Sequence, residues 1–84
     1  MHDSIWIAVP DAASAAFLSR DAVGILETRL VQCHRGWRVV VRPDREPGIL
    51  YREIVTLVQA WLRANRIGDV VLHINDRDTT IRRE

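Results

Sequence analysis

Three consecutive segments decide the fold: Trp37-Arg-Val-Val-Val-Arg42, then LYREIVTLVQAWL from Leu50 to Leu62, then Val70-Val-Leu-His-Ile-Asn75. The first and last alternate apolar and other residues, while the middle one repeats its apolar residues every three to four positions. A change of period from two to 3.6 and back to two is a strand, a helix and a strand. A parallel β-α-β unit of this kind covers one face of its sheet, and 84 residues supply too few helices to cover both. The expected molecule therefore has a sheet with one open face.

The flanking segments extend this plan. Ser4-Ile-Trp-Ile-Ala-Val9 alternates with Ile5, Ile7 and Val9 on one side and Trp6 and Ala8 on the other, and Pro10 ends it. Asp11 is a suitable N-cap for the alanine-rich run that follows. Ala15, Leu18, Ala22, Ile25, Leu26, Leu30 and Cys33 keep a helical stripe up to Gly36, so one long first helix is expected, weakened at Gly24. The alternative is a helix from Asp11 to Val23 and a strand from Ile25 to His34 that turns at Arg35-Gly36 into Trp37.

Pro47 suits the first position of the second helix, Leu50, Ile54, Leu57, Val58, Trp61 and Leu62 form its buried stripe, and Gly68 stands past its end. Asp76-Arg77-Asp78 reads as a tight turn, and Thr79 to Arg83 as an edge strand whose threonines and arginines discourage further pairing. The fold class is α+β, a two-layer sandwich of about four strands with two helices on one face. The element order is β-α-β-α-β-β, or β-α-β-β-α-β, as in ferredoxin-like folds, if the Ile25 segment is a strand. Residues 1–84 form a single domain.

Composition narrows the chemistry. A domain of this size buries only about 60% of its unfolded surface, which disfavours a deep catalytic cleft. All twelve basic residues are arginine, with no lysine, and eleven acidic residues lie among them for a net charge of +1. Scattered arginines in a near-neutral chain fit a GC-rich coding bias and do not make the basic patch of a nucleic-acid binder. The absence of a long apolar run and of a basic, signal-like start, together with a single cysteine, Cys33, points to a cytoplasmic protein without a membrane partner.

No catalytic constellation is legible. Cys33 and His34 are neighbours, which point apart on a helix and to opposite faces on a strand, and Cys33 falls on the apolar stripe as a structural thiol. His2, His34 and His73 make no metal-ligand spacing, and Asn75-Asp76-Arg77-Asp78 lacks the glycine and glutamate of a calcium loop. The β-α-β-α-β-β order resembles that of small sulfur-carrier proteins, but Pro10-Asp-Ala-Ala13 stands where their Cys-Pro-x-Pro would begin the first helix, so sulfur transfer is not expected. A non-enzymatic protein without cofactor or metal is the expectation.

Strand parity then locates the working surface. With Ile5, Ile7, Val9, Trp37, Val39, Val41, Val70, Leu72 and Ile74 toward the helices, the open face carries Trp6, Ala8, Arg38, Val40, Arg42, Val71, His73 and Asn75. Of these, Trp6, Arg38, Val40, Arg42, Val71 and His73 are the candidate binding residues, because aromatic and arginine side chains dominate interface energetics. The expected function is a small protein-interaction module, an adaptor or a phage- or mobile-element-encoded inhibitor of a larger complex, with a protein partner or a second copy as its ligand. The alternative is a single-stranded RNA binder using the sheet as a stacking platform, which needs more aromatics than Trp6 alone.

Overall fold

A computed structural model describes residues 5–34, 36–74 and 76–83. The elements are β1 (Ile5–Val9), α1 (Ala12–Asp21), β2 (Thr28–Cys33), β3 (Gly36–Val41), α2 (Pro47–Asn65), β4 (Asp69–Ile74) and β5 (Arg77–Arg82). They build one five-stranded sheet in the order β2-β3-β1-β4-β5, with every neighbouring pair antiparallel. The class is α+β, with both helices on one side of the sheet.

Two expectations need correction. The strands flanking α2 do run in the same direction, but β1 lies between them and pairs antiparallel with each, so the β-α-β unit is split and the sheet is not parallel. The sheet also has five strands where about four were expected, because the long first helix does not form. α1 ends at Asp21, Gly24 takes a left-handed φ of 85°, and residues 28–33 become β2. The Ser19 hydroxyl meets that of Thr28 at 2.7 Å, fastening the end of the short helix to the strand. Of the expected helical stripe, Ala15, Leu18, Ala22 and Leu26 are buried, whereas Ile25 and Leu30 are exposed (43% and 37%) and Cys33 is half-buried.

Helix α1 starts where the sequence places it, with the Asp11 carboxylate accepting from the Ser14 backbone N–H at 2.7 Å. That bond holds the Asp11 carboxyl below its ordinary 3.8, since it favours the charged form. Helix α2 opens with Pro47, and Glu46 accepts from the Gly48 N–H at 3.0 Å. Its left-handed closing residue is Arg66 (φ 55°), not Gly68; the Gly68 carbonyl instead accepts from the Arg83 N–H at 2.8 Å and extends the β4–β5 pairing. Asp76, also left-handed (φ 59°), belongs to a turn that lies before Arg77 and Asp78, which are already in β5. His2, Ser4, Arg35 and Asn75 lie outside the described residues.

The core sits between the sheet and the helices. Ile5, Ile7 and Val9 from β1, Val39 and Val41 from β3, and Val70, Leu72 and Ile74 from β4 pack against Leu18, Leu50, Ile54, Val58, Trp61 and Leu62. Trp37 and Leu57, expected in the core, are only partly buried against its margin. Trp61 is 1% exposed, and its indole Nε1 has no hydrogen-bond partner among the described residues.

Candidate functional site

The register of the five strands lays out the open face in rows. Arg29, Val40, Trp6, His73 and Asp78 face one another across the sheet, and Val31, Arg38, Ala8, Val71 and Thr80 form the adjacent row. Directly opposed residues in an antiparallel ladder share a face, so these side chains stand together on the side away from the helices. Among the described residues none of these side chains is fully buried, and Val71 is 37% exposed.

Trp6 organises the centre. The His73 imidazole stacks on its indole with ring centroids 3.8 Å apart and planes 8° from parallel. The Arg38 guanidinium lies over the same indole at 4.3 Å from its centroid. Strands β4 and β3 flank β1 on opposite sides, and two planar groups this close cannot share one face of the ring. The indole is therefore sandwiched between His73 and Arg38 and is partly exposed. The Asp78 carboxylate accepts from His73 Nδ1 at 2.7 Å and ties the imidazole to the neighbouring strand.

Five of the six predicted binding residues are thus brought together: Trp6, Arg38 and His73 in contact, with Val40 and Val71 in the same two rows. Arg42 is not. It lies one residue beyond the end of β3, and its exposed guanidinium bonds Glu27 at 2.8 Å. A surface pair of that kind draws the side chain along the sheet edge and away from Trp6.

Residues absent from the sequence prediction complete the face. Asp78 was placed in a turn; a tight turn ending at Asp76 instead sets it opposite His73. Arg29, Val31 and Cys33 arrive on the open face because their segment is a strand. Cys33 is consequently not the core thiol expected of a helical stripe: it is half-buried at the rim of the face, and its Sγ approaches the Gly36 carbonyl at 3.5 Å. The signal that would have found them was the β-branched pair Thr28 and Val31 after Gly24.

Between Trp6, Cys33, Trp37, Arg38 and Val71 the face dips into an open depression of about 670 Å³. Arg38 and Asp78 contribute opposite charges to its lining. Among the described residues no three His, Cys, Asp or Glu side chains converge as metal ligands, and no helix is long and apolar enough to cross a membrane. No protein-family model matches the chain, and no curated protein or solved structure matches it either.

Proposed function

We propose that this chain is a non-enzymatic protein-interaction module whose partner docks on the open sheet face around Trp6. The observation that carries this reading is the Arg38–Trp6–His73–Asp78 assembly. Internal contacts hold four side chains together at the centre of a part-exposed face of mixed apolar and charged residues. Preorganised aromatic and arginine groups lose little freedom on binding, which is the property of interface hot spots. Val40, Val71 and Ala8 supply apolar area, and the guanidinium of Arg38 remains a donor for a partner carboxylate.

The same geometry disfavours a nucleic-acid platform. Stacking a base needs a free aromatic plane, and both planes of Trp6 are occupied by the protein's own side chains. The near-neutral charge adds no general attraction for phosphate.

The test is affinity capture from the source organism with wild-type and Trp6→Ala baits, followed by calorimetry on the captured partner. Trp6→Ala is expected to weaken binding by about 2 kcal/mol, roughly thirtyfold, in a protein that still melts cooperatively. Unchanged binding by Trp6→Ala, with loss in Arg52→Glu or Arg63→Glu, would move the interface to the helices. Submicromolar binding of single-stranded RNA at near-physiological salt would replace the protein partner with a nucleic acid.

A further inference from the structure

The two edges of the sheet differ in kind. β5 presents Arg77, Asp78, Thr79, Thr80 and Arg82, the charged pattern that blunts an edge. β2 reads Thr28-Arg-Leu-Val-Gln-Cys33, with one charge, no proline and a continuous register against β3.

The direction of its free hydrogen-bonding groups follows from the ladder. The Glu27 carbonyl accepts from the Arg42 N–H, so residues 27, 29, 31 and 33 turn their backbone groups toward β3. In an antiparallel strand the alternate residues then turn theirs away. Among the described residues, Thr28, Leu30 and Gln32 therefore present N–H and C=O groups without a partner along the outer edge, and Leu30, 37% exposed, adds apolar surface beside them.

This edge is complementary to itself. Two copies brought together antiparallel about a two-fold axis at Leu30 set Leu30 against Leu30, and Thr28 of each copy against Gln32 of the other. Each of these pairs exchanges two backbone bonds, about six in all. On the open face Arg29 meets Val31 of the second copy, so no like charges stand opposed. The equivalent pairing of β5 about Thr80 would oppose Arg77 to Arg83, and the Asp78 it would set against Arg82 is already engaged by His73.

We infer that the chain forms a symmetric dimer by pairing β2 with β2 of a second copy, joining the two sheets into one of ten strands. The two open faces then become continuous, with Arg29 and Val31 of both copies at the seam. The contact is isologous and closed, so it ends at two copies. It is independent of the Trp6 surface.

Sedimentation of the full chain from micromolar to submillimolar concentration tests it. Wild type is expected to pass from monomer to dimer. Gln32→Pro removes only an outward-facing N–H, a position at which an edge strand accepts proline, and Leu30→Glu places like charges at the axis. Each is expected to raise the dimer dissociation constant at least about tenfold, while Trp6→Ala leaves it unchanged. Independently of any substitution, the amides of Thr28, Leu30 and Gln32 are expected to exchange more slowly at high concentration than at low. A wild-type monomer throughout the range, concentration-independent exchange at those amides, or a dimer abolished by Thr80→Pro or Trp6→Ala but not by the β2 substitutions would overturn the inference.

Discussion

The carbonyl oxygen of Val9 lies 2.7 Å from where a Cβ on Gly36 would stand. Gly36 opens β3 at φ 155°, just where that strand closes its hairpin with β2 and passes the end of β1. Both the close approach and the dihedral require glycine. Gly36→Ala is expected to lose about 2 kcal/mol of stability, the scale of a strained backbone position, by separating β1 from β3 at the rim of the depression. Denaturant unfolding measures it, and a wild-type midpoint would refute the assignment.

The stack of Trp6 between His73 and Arg38 should register as a coupling and not merely as buried area. A double-mutant cycle of Trp6→Ala and His73→Ala is expected to show an interaction of about 0.5 to 1.5 kcal/mol, the range for stacked aromatic pairs. Arg38→Ala should add about 0.5 to 1 kcal/mol through the lost cation–π contact. Additive single effects in urea melts would mean that the side chains are neighbours without preference.

At Trp61 two terms compete. Truncation to alanine should cost about 3 to 5 kcal/mol, close to all that a domain of this size has. Trp61→Phe should cost much less, because it also removes a buried N–H that has no partner among the described residues. Thermal unfolding separates them: a phenylalanine variant as unstable as the alanine variant would show that Nε1 is hydrogen-bonded, for instance through water.

Acid should act through two carboxylates. Asp11 is held low by the Ser14 backbone N–H, and Asp44 by its hydrogen bond from Arg45. A depressed folded value means that each contributes stability above the unfolded value near 3.8 and loses it as pH falls through the lower, folded one. Asp11→Asn keeps an N-cap oxygen but cannot titrate, so its stability should fall less steeply than wild type below pH 3.8. Parallel stability profiles of the two proteins would remove Asp11 from the acid transition.

The parts of the fold that were legible are those where one local signal stood unopposed. Alternation in β1, β3 and β4 assigned eight buried residues to the correct face, and the same parity placed Trp6, Arg38, Val40, Val71 and His73 on the other. The segment from Ile25 to His34 carried two patterns at once, because Leu26, Leu30 and Cys33 satisfy a helical spacing while Leu26, Thr28 and Leu30 satisfy a strand. Pairing with β3 resolves the choice in favour of the alternative reading, a strand that turns into Trp37, because the ladder bonds outweigh the local helical propensity. Cys33 was misplaced, and Arg29 and Val31 were missed, as a direct result. Asp78 escaped for a smaller reason, a turn located two residues too late, which hid its position opposite His73.

The central place of β1 carries a consequence for how the chain reaches this state. β2 with β3 and β4 with β5 are hairpins that close over a few residues, whereas β1 waits for partners that begin at Gly36 and Asp69. Folding is then expected to insert β1 between the two hairpins, with the closing of those long loops as its slow event. On the ribosome, a chain that has not yet reached β4 holds β1 with one flank bare and Ile5, Ile7 and Val9 incompletely covered. The arrival of β4 is expected to cover that flank.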